Sequence, residues 1–286
     1  MKILITGGKG MLGRTLQRAL VGHEIIVADL PEWDITDDAG FLKKTLEASP
    51  DVIIHCAAMT KVDDCETKRE LAFKLNEEGT RNVALAAKVS GSRLVAISTD
   101  YVFSGEPPRE PWAWGEQDIP RPQTVYGASK YAGEQMIEMI YPDNSVILRI
   151  AWLYGEGGPS FVHTMIKLGA QDGDALKVVD DQRGNPTSTD AVADVIKFLL
   201  TRPDVSGVVH GTCEDQCSWY DFACEIKRLR GEKFPRAIIP CTTAEFPRPA
   251  PRPRCSALKK SVLNVLGYRT PNWKTALADF LKTFAD

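Results

Sequence analysis

No stretch of this 286-residue chain is apolar for long enough to cross a bilayer, and its first apolar run, Ile3 to Ile5, is ended at once by Gly7 and Gly8. Neither a membrane protein nor a secretory leader is expected. Basic charge is missing as a field: the net charge is −3 and the lysines and arginines are scattered, so nucleic acid is not an expected partner. No C-x-x-C pair occurs among the 7 cysteines, an odd number. Neither a disulfide framework nor a zinc ribbon is encoded, and a cytoplasmic, reducing compartment is expected. The 4 histidines, His23, His55, His163 and His210, share no ligand spacing, and no metal site is expected from them. No repeat of fixed period occurs, and the one biased tract is the short run Pro247 to Pro253.

What remains is the composition of an ordinary globular enzyme, 43% apolar and 26% charged. The first half alternates short β-branched runs with segments of helical period. The runs are Lys2 to Thr6, Glu24 to Leu30, Asp51 to Ala57, Arg93 to Ser98 and Ser145 to Ile150; the helical segments are Met11 to Val21 and Glu66 to Ser90. Such alternation implies right-handed crossovers and a parallel sheet, so the expected class is α/β, a Rossmann-type doubly wound parallel sheet. A helix is expected over Ser129 to Ile140, after the proline-rich loop Pro107 to Pro122. Beyond Arg149 the rhythm changes. Helices are expected near Phe161 to Ala170, Asp190 to Leu200 and Trp219 to Arg230, and strands near Leu176 to Val179 and Gly207 to His210. The expected division is a dinucleotide-binding domain over 1–150, with return elements near 174–201, and a smaller C-terminal substrate-binding lobe over 151–286.

The first strand runs into Gly7-Gly8-Lys9-Gly10-Met11-Leu12-Gly13, which opens a helix. Glycines there allow positive φ and let a pyrophosphate approach the positive end of the helix dipole. The turn therefore points to a dinucleotide. Asp29, at the end of the next strand, is placed to accept from the adenosine ribose hydroxyls, which favours NADH, or it is a solvated strand-end residue. Lys9 could instead neutralise a 2′-phosphate, so NADPH or NADH remains open.

Tyr126 and Lys130 stand one helical turn apart, so a phenol and an ammonium share a face. A neighbouring positive charge is expected to lower the phenol's pKa and fit it for proton transfer, while Lys130 also donates to the nicotinamide ribose. A hydroxyl at the end of the fourth strand, Thr99 or Ser98, can donate to a substrate carbonyl oxygen. Trp152 follows a strand end and either walls a sugar with its indole or belongs to the core. Arg252, in a proline-stiffened loop, is either a clamp on a diphosphate or a solvated loop residue.

Further segments carry a resemblance over almost the full length. They are Cys56-Ala57-Ala58-Met59-Thr60-Lys61-Val62-Asp63, Ser98-Thr99-Asp100-Tyr101-Val102-Phe103, Gly133-Glu134, Arg149-Ile150-Ala151-Trp152-Leu153-Tyr154-Gly155, Val178-Val179-Asp180-Asp181-Gln182 and Arg248-Pro249-Ala250-Pro251-Arg252-Pro253. With these the chain resembles the extended short-chain dehydrogenase/reductases and, among them, the dTDP-4-dehydrorhamnose reductase family. The resemblance implies reduction of the C4 ketone of a dTDP-linked 4-keto-6-deoxy sugar toward dTDP-L-rhamnose, with Thr99, Tyr126 and Lys130 as the catalytic set. It implies sugar contacts from Asp100 and Trp152, and dinucleotide contacts from Gly10, Met11, Leu12, Asp29, Asp34, Ile35, Ala57, Ala58, Met59 and Ile97. Similar proteins that dimerise through a metal carry a carboxylate just after the glycine motif. Here Thr15 stands near that position and only Asp190 offers a carboxylate at a second, which leaves a homodimer open but argues against a metal bridge. A dehydratase of this kind would need a second carboxylate after Asp100, where Tyr101 stands. An epimerase or a non-catalytic regulatory subunit could be built on the same scaffold, and the intact Thr99, Tyr126 and Lys130 weigh against the subunit.

Overall fold

A computed structural model describes residues 1–106 and 112–284. The part of the expected proline-rich loop at 107–111 lies outside the described residues. The chain begins β1 (Lys2–Thr6), α1 (Met11–Ala19), β2 (Glu24–Ala28), α2 (Asp38–Ala48) and β3 (Val52–His55). It continues with α3 (Val62–Thr67), α4 (Arg69–Phe73), a π-helical turn at Lys74–Glu78, α5 (Gly79–Ser90), β4 (Arg93–Thr99), α6 (Val125–Ile140) and β5 (Ser145–Ile150). The rest comprises β6 (Leu153–Tyr154), α7 (Phe161–Gly169), β7 (Leu176–Val179), β8 (Arg183–Gly184), β9 (Thr187–Ser188), α8 (Thr189–Leu200), β10 (Gly207–His210), β11 (Cys217–Ser218), α9 (Trp219–Arg230), β12 (Ile238–Cys241), α10 (Ser261–Val265) and α11 (Trp273–Thr283).

The main sheet has the order β10-β5-β4-β3-β1-β2, with every pairing parallel. Its strands are apolar on both faces because successive side chains point to opposite sides and both sides are covered. Ile3, Ile5 and Ile54 pack with Leu12 and Leu16 of α1 and Val192 and Ile196 of α8. Leu4 and Ile53 pack on the other face with Phe41 of α2 and Val83 and Ala87 of α5. The chain leaves β1 toward β2 on one side while β3 pairs on the other, so a crevice opens at the carboxyl ends between β1 and β3. A second core, with Tyr154, Met165, Phe222, Phe234 and Phe280, belongs to the smaller lobe.

Two expectations change. The expected return near 174–201 is only partly met: β7 pairs with β12 in a separate two-stranded sheet, whereas α8 packs on α1 and β10 joins β5. The return to the main sheet is therefore 189–210. The helix expected over Glu66 to Ser90 is broken at Lys68, with ψ 48, and widens into the π turn. Turns of that kind often mark a functional position, and here Asn76 faces inward to the Met59 backbone and Ser129. No helix among the described residues is long and apolar enough to cross a membrane.

Candidate active site

The turn after β1 brings the backbone of Gly7 against β3's exit. Gly7 has φ +63 and donates its N–H to Ala28 O at 3.0 Å, and a Cβ there would lie 2.7 Å from Ala57 N. Only glycine fits both demands. Gly10 then precedes α1 without any side-chain cap, which leaves the first amides of the helix free for an anion. Asp29 accepts from Lys9 N at 2.8 Å and Leu30 N at 2.9 Å, and the Lys9 ammonium donates to Leu30 O at 2.7 Å. A carboxylate and an ammonium thus flank the place where an adenosine ribose would sit. The amide and hydroxyl of Thr36 hold the Asp34 carboxyl below its usual range. Behind the turn, His55 bridges Thr6 at 2.7 Å and Thr80 at 3.1 Å, and Thr6 in turn accepts from Ala57 N. Burial holds this imidazole neutral, its pKa pushed down to about 3.

Helix α6 begins at Val125 rather than Ser129 because Thr124 caps it, accepting from Gly127 N at 2.9 Å. Tyr126 therefore occupies the first turn. Lys130, 6% exposed, donates to Ile97 O at 2.8 Å, and burial lowers its pKa to about 8. The phenol of Tyr126 lies near the Thr99 hydroxyl and sits edge-on to the ring of Tyr101, centroids 5.6 Å apart. The expectation that Lys130 lowers the phenol's pKa is not met. Burial raises it, with the nearby Asp100 and Cys65 acting the same way and only the Thr99 hydroxyl opposing. Tyr126 is protonated and suited to give a proton.

The two hydroxyls at the end of β4 separate clearly. Ser98 donates to Glu134 Oε1 at 2.5 Å, and Glu134 is locked to Arg149 by contacts of 2.9 and 2.5 Å in a pair that is 2% and 3% exposed. Its hydroxyl is committed behind the site, whereas Thr99 meets Tyr126. Adjacent strand residues point to opposite faces, so only one of them could turn toward the phenol.

The wall opposite is aromatic. Trp152, with φ 46, lies parallel to Trp219 at 3.5 Å between centroids, and Phe161 packs on Trp219 at 4.6 Å. Trp219 carries no motif in the sequence and reaches the site as the first residue of α9. Ser218 fixes it through a capping box with Asp221 and a 2.6 Å bond to Asp180.

One cleft of about 810 Å³ gathers most of these groups. It is lined by Gly7, Gly10, Met11, Leu12, Gly13, Asp29, Asp34, Ile35, Ala57, Ala58 and Ile97, together with Thr99, Asp100, Tyr126, Lys130 and Trp152. Two expected residues are not in its lining. Met59 makes reciprocal backbone bonds with Asn76, and Arg252 pairs with Asp63 at 2.8 Å. Thr15 is buried against Thr189 at 2.9 Å. The free helix end, the glycine turn and the ribose-side carboxylate fit a dinucleotide.

The whole chain, residues 1–286, matches the family described as the RmlD substrate binding domain. It is 40% identical to a dTDP-4-dehydrorhamnose reductase of Streptomyces griseus, covering 96% of this chain and 91% of that one. Among solved structures, a dTDP-4-dehydrorhamnose reductase from Clostridium acetobutylicum superposes with TM-score 0.94 at 44% identity over 99% of both chains. One from Bacillus anthracis, crystallised in complex with NADP, does so with TM-score 0.94 at 37% identity over 99% of both.

Proposed function

The chain belongs to the RmlD substrate binding domain family, and from that we propose that it is an oxidoreductase reducing the C4 ketone of a dTDP-linked 4-keto-6-deoxy sugar with NADPH or NADH. The reaction converts dTDP-4-dehydro-6-deoxy-L-mannose to dTDP-L-rhamnose, as the names of its relatives suggest. One observation carries the reading: the glycine turn, Thr99, Tyr126 and Lys130 share a single cleft.

The bound nicotinamide supplies the hydride. The amides at the start of α1 hold the pyrophosphate, and Asp29 with Lys9 meets the adenosine ribose. Lys130 steadies the nicotinamide ribose while its bond to Ile97 O fixes its reach. Tyr126 gives its proton to the ketone oxygen and Thr99 donates to the same oxygen as charge builds there. Trp152 and Trp219 present an apolar wall to the hexose, and Asp100 accepts from a sugar hydroxyl. Arg252, outside the lining and paired with Asp63, is the candidate clamp for the diphosphate. The 7 unpaired thiols suit a reducing compartment.

The test is oxidation of NADPH and of NADH across a panel of 4-keto nucleotide sugars, with wild type and Tyr126→Phe. Net consumption of cofactor separates a reductase from an epimerase. The variant should lose about 10²–10⁴-fold in kcat and keep its NADPH affinity within about twofold, because only the acidic proton is removed. An unchanged kcat refutes the role of Tyr126.

A further inference from the structure

Val178 to Gln182 hold none of the reacting groups, yet the chain from Asp180 to Gly184 supports both indoles of the aromatic wall. The Asp180 N–H donates to Cys241 O at 2.9 Å, which continues the parallel pairing of β7 with β12 and anchors this residue at the end of that sheet. Farther along, Gly184 of β8 leaves room for the edge of Trp152. Strand β8 pairs antiparallel with β11 and sets Ser218 opposite Arg183, so the next residue, Trp219, starts α9 beside Trp152.

Ser218 is fully buried, and its hydroxyl has two tasks. It caps α9 by accepting from Asp221 N at 3.0 Å, and it gives its one proton to Asp180 Oδ1 at 2.6 Å. A bond of that length to a carboxylate is a strong one. Asp180 is itself exposed, so its charge keeps its water and the bond carries no burial penalty. With its proton committed to Asp180, the hydroxyl cannot rotate and its lone pairs stay on the Asp221 amide. The first turn of α9 is thereby held where Trp219 lies parallel to Trp152, centroids 3.5 Å apart and ring planes 5° apart. Without Asp180 the Ser218 proton is left unpaired in the interior, and the hydroxyl turns away from the cap.

We propose that Asp180 is a positioning residue for hexose recognition, acting on the sugar only through Ser218 and the Trp219 indole. The inference rests on the sugar-nucleotide reading above: Trp152 and Trp219 line the same cleft as Thr99, Tyr126 and Lys130. An indole face takes up the C–H face of a pyranose, so the effect of Asp180 is confined to ligands that carry the hexose.

The experiment compares the affinities of dTDP-L-rhamnose and dTDP by calorimetry with NADPH present, a cofactor state in which the product cannot react. The proteins are wild type, Asp180→Ala, Asp180→Asn, Trp219→Leu and the double variant Asp180→Ala/Trp219→Leu. Asp180→Ala should weaken dTDP-L-rhamnose about tenfold, about 1.4 kcal/mol, and leave dTDP and NADPH within about twofold. Asp180→Asn keeps an oxygen that accepts the Ser218 proton and should bind within about twofold of wild type. In the Trp219→Leu background Asp180→Ala should change nothing further, because its route to the sugar is already gone. The stacked indoles give a near-ultraviolet circular dichroism signal that Asp180→Ala should lose as Trp219→Leu does. Unchanged dTDP-L-rhamnose affinity in Asp180→Ala overturns the inference, as do an equal loss for dTDP or a second full loss in the Trp219→Leu background. Should Asp180→Ala fail to bind NADPH, Ser218→Ala removes the same bond from its other end and decides by the same comparison. Wild type that binds neither nucleotide overturns the reduction and this inference together, whereas an unselective or absent loss in a protein that binds both overturns this inference alone.

Discussion

Gly184→Ala should weaken sugar binding from a position that touches neither cofactor nor reacting atoms. A Cβ at Gly184 would stand 2.4 Å from Cε2, 2.5 Å from Nε1 and 2.8 Å from Cζ2 of Trp152. Carbon atoms rest about 3.5–4.0 Å apart, so the indole must retreat by about 1 Å. It cannot move into Trp219, already parallel at 3.5 Å, so it slides in its plane or leaves the stack. Its left-handed backbone, φ 46, between β5 and β6 gives little slack. Losing the aromatic pair costs about 0.5–1.5 kcal/mol and overpacking about 1–3 kcal/mol, so a stability loss of about 2–4 kcal/mol is expected in urea unfolding. If about 1.4 kcal/mol of the wall's contact energy disappears from the transition state, kcat/KM for the sugar drops about tenfold. NADPH affinity should stay within about twofold, since the glycine turn is untouched. Intrinsic fluorescence reports the stack directly. Wild-type stability and KM would refute the tight indole wall, and equal losses of NADPH and sugar affinity would show general unfolding instead.

Gly7→Ala forces a side chain into positive φ and onto Ala57 N at 2.7 Å, so the turn must shift; NADPH affinity should fall at least about tenfold, about 1.4 kcal/mol, by fluorescence titration. Glu134→Gln leaves the Arg149 cation buried without its countercharge and should lower unfolding free energy by about 3–5 kcal/mol in urea; a loss under about 1 kcal/mol contradicts the closed pair. For His55 the folded pKa, about 3, lies below the ordinary 6.5, so the unfolded chain binds the extra proton. Its share of stability is full above the unfolded pKa and is lost as pH falls from there toward about 3. Urea unfolding of His55→Gln should accordingly show an acid slope flatter than wild type by about 1.4 kcal/mol per pH unit, and parallel slopes exclude the buried neutral imidazole.

The elements legible in the sequence are those fixed by short-range chemistry. The glycine turn declares itself because its conformational demand is local, and Tyr126 with Lys130 because one helical turn separates them. The aromatic wall is different: Trp152 is readable as a residue after a strand, but Trp219 reaches it only when α9 docks on the smaller lobe. The return of β10 to the main sheet is unreadable for the same reason, since parallel pairing joins segments far apart in sequence. The choice between Ser98 and Thr99 is half readable. Strand alternation separates their faces, but which face holds the phenol depends on Glu134 and Arg149 meeting behind Ser98.

Two influences compete for the Tyr126 proton, and the structure shows which prevails. A lysine one turn along would favour phenolate, but the Lys130 ammonium is directed to Ile97 O, and burial with Asp100 and Cys65 nearby raises the phenol instead. An acid held so firmly does not ionise in the resting site, where a phenolate would oppose reduction by repelling negative charge on the ketone oxygen. In the proposed reduction it yields its proton only to a stronger base, and the nascent alkoxide is one. On that proposal, proton transfer follows hydride arrival rather than preceding it. Burial also lowers Lys130 to about 8, so the ammonium persists at neutral pH to balance a transient phenolate. Both consequences require apolar surroundings, and the stacked rings of Trp152 and Trp219 line the same cleft as the two groups. Opening that wall should thus lower the phenol's pKa and populate the resting phenolate that opposes reduction, a chemical effect added to the loss of sugar contact.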